Sequence, residues 1–457
     1  AHEIAAQLAR HFQEAGILPK AVQNLAKAGE KALRLSAYIE TIGYFSKALD
    51  ILSCSPDSPE RDRNELSFQM ALAASFQAIQ GYGGPEVSTI CVRMRELCQR
   101  MAGSREIFSA LNFLMTHHWM RGNHETALEI TEQMMSIAEK AGDPSLPALT
   151  HNAQGILSFN MGKLSAALEH LNHMSAFYDP EKHAHWGHVY GMDPGLVGWS
   201  VRACALWYLG YPDQAVEQSR KTLETARRIG HPMSFAAALA MDTLLHLIRR
   251  DVKSLEARGK EVAAFAEEKG FLFFVAVGLF KIGFTLALQG GTEEGIAKIL
   301  QGLELYRATG VRFTLTDLFG CLAESYGAAG RIESGLEIMA QALAEVERGG
   351  ERYYEAELHR IHGELLFKKA ETDDRAAFEK EAEECFRRSL DVARGQKAKS
   401  LELRAALSLG RLLQKQGKKS EAKKMLEDIS GWFTEGFDTP DFKAAKALIE
   451  ELSKSPA

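Results

Sequence analysis

The stretch YDPEKHAHWGHVYGMDPG, residues 178–195, places His183, His185 and His188 within six positions, between Asp179 and Asp193. Three imidazoles and a carboxylate can hold zinc, the basis of a metal-dependent enzyme. That chemistry makes a strict demand. All three rings must converge on one point at about 2.0–2.1 Å, with acceptors behind them fixing their orientation. In extended chain, positions 183 and 185 point to opposite sides, so convergence needs a tight local bend. The same residues have two other readings: a structural plug ordered by Trp186 and Tyr190, or a surface that recognises a ligand or peptide.

Other chemistry is sparse. No phosphate-binding loop occurs: in GGTEEGIAK, Gly290 and Gly295 have the right separation, but Ile296 stands where lysine is required. There is no G-x-S-x-G elbow, no H-E-x-x-H and no dinucleotide fingerprint. His117 and His118 are adjacent and diverge by about 100° on a helix, so they cannot easily share a ligand. The expectation is a chain without catalytic residues and without a cofactor.

Composition narrows the partners. The 457 residues are 46% hydrophobic and 25% charged, with net charge −6. An acidic balance argues against nucleic-acid binding. No run of 18 apolar residues is present, which argues against a membrane span; GFLFFVAVGLF at 270–280 is short enough to be a buried helix. The six cysteines are scattered with no C-x-x-C pair, as suits small buried hydrophobes in a reducing cytoplasm. The chain opens without Met inside a helix-like pattern, AHEIAAQLARHFQEAG, and reads as a piece of a longer protein.

What must position the histidine stretch is a repeat. Small residues recur at pairs of positions twelve apart: Gly155 and Ala167, Gly283 and Gly295, Ala323 and Gly335, Gly410 and Ala422. Two antiparallel helices approach closely only where both carry small side chains. Taking the second of each pair as a ruler gives Thr41, Val87, Ala127, Ala167, Ala215, Leu255, Gly295, Gly335, Ala382 and Ala422. Six of the nine steps are 40 residues. The fold expected is all-α: a right-handed α-solenoid of about ten helix pairs with a period near 40. It forms a single superhelix over 1–457, with N-terminal helices and the first repeat in 1–52, central repeats in 64–430 and a capping helix in 431–457.

The residues Gly29, Thr41, Phe45 and Ala48, then Ala323, Tyr326, Gly335 and Ala342, resemble the tetratricopeptide repeat. The stretches ERDRNELSFQMALAASFQAIQGYGGPEV (60–87), LWYLGYPDQAVEQS (206–219) and GWFTEGFDTPDFKAAKALIEEL (431–452) resemble a larger family. Its members are bacterial signalling proteins joining a class III nucleotidyl cyclase domain, a P-loop ATPase domain and a long tetratricopeptide-like tail. The resemblance covers essentially this whole chain but only the tail of such a parent. It implies a regulatory or scaffolding segment in the cytoplasm. In the loop, the family's pattern falls on Tyr178, Asp179, Pro180, His183, Tyr190, Gly191, Asp193, Pro194 and Gly195, which singles out His183 over His185 and His188.

The step of 48 between Ala167 and Ala215 identifies the histidine stretch as an insertion, and its aromatics separate it from the polar insertions at 53–63 and 368–380. It is expected to be ordered and to fold back on the first helices, with Trp186 and Tyr190 buried. First helices should line a concave wall through Asn112, Thr116 and Trp119, then Asn152, Ile156 and Phe159. These positions either contact a protein or peptide, such as upstream domains of the parent, or serve packing between repeats. The rival function is a small-molecule sensor that encloses a metabolite.

Overall fold

The computed structural model describes residues 4–102 and 105–454. These form 23 α-helices and one 3₁₀ turn at Arg105–Ile107, with no strand among the described residues. After α1 (Ala5–Glu14), the helices alternate as antiparallel pairs: α2 (Leu18–Arg34) with α3 (Tyr38–Ser53), α4 (Pro59–Gln80) with α5 (Pro85–Arg100), α6 (Phe108–Met120) with α7 (His124–Ala141), and α8 (Ser145–Asn160) with α9 (Leu164–Phe177). A short α10 (Trp186–Tyr190) interrupts the series. The pairs resume as α11 (Pro194–Tyr208) with α12 (Pro212–Ile229), α13 (Pro232–Ile248) with α14 (Val252–Lys269), and α15 (Leu272–Leu288) with α16 (Thr292–Ala308). They end with α17 (Leu315–Ala328) and α18 (Ile332–Gly349), α19 (Glu355–Lys369) and α20 (Arg375–Gly395), and α21 (Lys399–Lys415) and α22 (Lys419–Ser430). The α-solenoid is therefore the architecture. The helix α23 (Pro440–Lys454) covers the last pair with Phe442, Ala445, Leu448 and Leu452; residues 455–457 of the expected cap lie outside the described set.

The ruler positions explain the pairing. Each falls in the second helix of a pair and each is buried, including Val87 and Leu255, which are large for a small-residue site. Where α15 crosses α16, a Cβ on Gly283 would lie 2.7 Å from the Gly295 carbonyl oxygen. The turn inside a pair needs one left-handed residue, supplied by glycine at Gly122 (φ 75°) and Gly162 (φ 72°). Arg250 holds the equivalent slot between α13 and α14 at φ 58°. A non-glycine there carries a backbone cost. Its guanidinium is recovered in ion pairs with Glu324 and Glu357, both at 2.8–2.9 Å.

The coil also closes on itself. Arg312 and Phe313 donate backbone N–H groups to the Met120 carbonyl at the end of α6, at 2.8 and 3.2 Å. Arg352 does the same to Asn160 at the end of α8, at 2.7 Å. Ser400 donates its hydroxyl to the Trp207 carbonyl at the end of α11 across 193 residues, at 2.5 Å. Arg404 Nη2 reaches the Ile248 carbonyl at the end of α13 at 2.6 Å. Exposed carbonyls at a helix C-terminus need partners. Here the next turn of the superhelix provides them, so successive turns touch.

Candidate functional site

The insertion is the place to begin. Tyr178 donates its hydroxyl to Asp193 Oδ2 at 2.7 Å, joining the two ends of the loop. Asp193 Oδ1 accepts from the N–H groups of Gly195 (2.9 Å) and Leu196 (3.4 Å) and so caps α11. Burial pushes the Asp193 carboxyl up to about 6, against the pull of these bonds. A Cβ at Gly195 would sit 2.3 Å from the Tyr178 ring, so only glycine admits the contact. Tyr178, Asp193 and Gly195 thus close the loop.

The three histidines go to three different places. His183 stacks on Trp186 with ring centroids 4.2 Å apart, and its Nδ1 accepts the Asp179 N–H at 3.0 Å. His185 is exposed, and His188 meets His231 edge-on at 4.9 Å. Burial lowers the pKa of both His183 and His188. No group of three or more His, Cys, Asp or Glu side chains among the described residues is arranged to hold a metal ion. The metal alternative finds no convergent geometry, because α10 carries 188 away from 183. Trp186 is buried, whereas Tyr190 is only half-buried. α10 rests on α6 and α11, both first helices.

The inner-wall residues face inward, but what they face is mostly protein. Asn112, Trp119, Asn152, Ile156 and Phe159 are buried, and Thr116 is half-buried. Trp119 meets Phe313 at 5.0 Å; Phe159 stacks on Tyr353 at 5.0 Å and meets Tyr208 at 5.7 Å. Phe313 and Tyr353 come from the following turn, and Tyr208 from the neighbouring pair. Thr116 lines a small recess with Tyr190 and Met192. Trp119 also borders a space in the lumen, and the other four positions are buried against neighbouring helices.

An open cleft of about 410 Å³ remains at the N-terminal mouth of the coil. Arg63, Ser67, Met70 and Ala74 form its floor along one face of α4, spaced four, three and four residues apart. Glu30 and Leu33 of α2 form one side, and His188 and Val189 of the insertion form another. Val189 is 44% exposed, an aliphatic side chain presented to the cleft rather than buried. The volume lies within the roughly 300–1,000 Å³ of ordinary binding pockets.

Behind the insertion lies a second space of about 70 Å³ in the lumen. Met192, the last loop residue before the Asp193 cap, forms part of its wall, with Tyr82 donating its hydroxyl to the Met192 sulfur at 3.4 Å. Lys281 and Asp317 enter this space as an ion pair at 3.3 Å, with side chains 5% and 0% exposed. Sequence reading passed over Lys281, although it is the single charged residue of α15 and closes an apolar run. A charge there was the available signal. The loop thus stands as a partition: His188 and Val189 on the mouth side, Met192 on the lumen side.

No family model matches the chain. An uncharacterized protein of Rhizobium meliloti (strain 1021) is 25% identical over 412 residues, which is 89% of this chain and 39% of that protein. The chain therefore spans about two fifths of the length of this curated relative. Among solved structures, a Rap protein complexed with competence and sporulation factor superposes with TM-score 0.59 at 13% identity, covering 82% of this chain and 98% of that one. That likeness is one of fold: a tetratricopeptide-like helical repeat. A signal transduction ATPase with a tetratricopeptide repeat sensor from Pyrococcus horikoshii is matched at TM-score 0.37 and 12% identity, over 91% of this chain and 54% of that one, which is too distant to argue from.

Proposed function

We propose that this chain is a non-catalytic interaction module, the regulatory tail of a bacterial cyclase/ATPase signalling protein, and that it receives a protein segment in its N-terminal mouth. One observation carries the reading. The inner faces of later first helices meet the next turn, as does the C-terminal end of α4 against α15, while the stretch of α4 from Arg63 to Ala74 lines an open cleft walled by the insertion that breaks the 40-residue period. An apolar floor of Met70 and Ala74 with Arg63 and Glu30 at its rim suits an amphipathic helix or extended peptide. A solenoid's concave surface is its usual binding surface. The long relative supports a segment inside a larger protein, and a neighbour of like fold complexed with competence and sporulation factor supports a binding role. The parent's own upstream domains are the partner we favour, with the cytoplasm as compartment.

Site-specific photo-crosslinking tests this on the full-length protein. A crosslinker at Ser67 should capture an identifiable polypeptide, and Met70→Glu should abolish the capture. A crosslinker on the outer face of α7, at Glu132, should not capture it. Equal yields at 67 and 132, or capture unaffected by Met70→Glu, would count against the mouth.

A further inference from the structure

The lumen carries a second site, and its argument is independent of the mouth. Its walls are apolar and aromatic: Trp119, Met192, Ala240, Phe273 and Phe313 surround it. Ala240 and its neighbour Met241 are half-buried and line this space. The one charged feature is the Lys281–Asp317 pair. Asp317 is well satisfied: Tyr353 donates to Oδ1 at 3.0 Å and Lys281 to Oδ2 at 3.3 Å. Lys281 is not. An ammonium has three donors, and Asp317 is the single hydrogen-bond acceptor it meets among the described residues. Its other contact is the Phe280 ring, 4.7 Å from Nζ to centroid. A buried donor left without an acceptor is costly, so an oxygen delivered to Lys281 recovers free energy.

Charge selects the kind of oxygen. The ion pair is already balanced, and a carboxylate or phosphate would leave one net negative charge among apolar walls. A neutral carbonyl or hydroxyl adds none. Size selects the body. The space is about half the ~150 Å³ of an engineered apolar cavity that holds benzene. We propose that the lumen binds a small neutral molecule with a compact apolar body and one carbonyl or hydroxyl oxygen, which Lys281 receives.

Two isosteric probes small enough for the space test the proposal on the whole chain by ligand-detected NMR titration: acetone, which has a carbonyl acceptor, and 2-methylpropene, which lacks it. Acetone should bind at least tenfold tighter. The double variant Lys281→Met/Asp317→Leu should lose that preference, and Ala240→Phe should reduce binding of both probes by filling the space. Equal affinities in the wild type, no binding of either probe, or a preference that survives the double variant would each overturn the assignment. The wild-type comparison stands alone if the double variant fails to fold. Met70→Glu at the mouth should leave both affinities unchanged, so failure here and failure of the mouth reading are separately visible.

Discussion

The helices α4 and α19 occupy equivalent positions in their pairs, yet their inner faces meet different fates. On α4, Arg63, Ser67, Met70 and Ala74 look into an open cleft. On α19, Glu357, Arg360 and Glu364 are drawn into ion pairs: Glu357 takes Arg360 at 2.9 Å, Arg250 at 2.9 Å and Arg404 at 3.3 Å. Burial alone would raise the Glu357 carboxyl; the guanidiniums of Arg360, Arg404 and Arg250 overcome it and hold it well below the ordinary range. Position in the repeat does not decide which face is a wall and which is a mouth. Position along the coil does, because α19 has other turns against it.

The contrast can be broken from the closed side first. Glu357→Ala leaves three guanidiniums without their shared carboxylate, and should lower stability to urea by about 3–5 kcal/mol, the range for a broken buried ion pair. The matching change at the mouth, Met70→Glu, should cost less than about 0.5 kcal/mol while removing capture at Ser67. Equal losses would abolish the distinction between the two faces.

The partition comes next. Trp186→Ala removes the ring on which His183 stacks and should cost about 3 kcal/mol, read by hydrogen exchange as faster opening of residues 178–193. Faster exchange spread evenly over the chain would show that the loop is not a separate unit.

The closed interior should also respond to pH. Burial, then the neighbouring Asp317, pushes the Glu351 carboxyl up to about 8, where it accepts from Thr314 N–H and the Thr316 hydroxyl. The folded chain thus holds this proton more tightly than the unfolded chain, whose ordinary value is 4.5. Its contribution is full at low pH and is lost as pH rises from about 4.5 through about 8, with a slope of up to ~1.4 kcal/mol per unit. Glu351→Gln should flatten that part of the curve of urea midpoint against pH. An unchanged curve would mean that Glu351 is already ionised in the fold.

The smallest effect separates the histidines. His183→Ala should cost about 1 kcal/mol through its stacking and its bond from Asp179, while His185→Ala should stay within about 0.5 kcal/mol. Calorimetric titration with zinc should give no submicromolar 1:1 binding. Binding of that strength, lost in His185→Ala or His188→Ala, would restore the metal reading.

Much of this architecture was legible in the residues. The spacing of small side chains located the second helices, since close approach is a local steric requirement that leaves its mark at fixed intervals. The step of 48 located the insertion for the same reason. The lumen was not legible. Whether Phe159 faces a groove or meets Tyr353 depends on the pitch of the superhelix, which accumulates from small rotations at every pair and appears at no single residue. The open stripe on α4 was hidden likewise: Met70 reads as one more apolar position until it is known that the next turn reaches only the far end of α4. Lys281 was the exception, a charge in an apolar helix that announced itself and was overlooked.

Contact between turns also has a consequence in time. Trp207 offers its carbonyl to Ser400, which lies 193 residues downstream. At a synthesis rate of about 5–20 residues per second, the first partner waits roughly 10–40 s for the second to leave the ribosome. Until then the emerged coils present bare helix ends and an uncovered aromatic wall to the surrounding solution. A solenoid in which each repeat touched only its neighbours could consolidate pair by pair as it emerged. This one finishes folding only when its later coils arrive, and nascent chains stalled near residue 350 are where it should be most prone to aggregate and most dependent on chaperones.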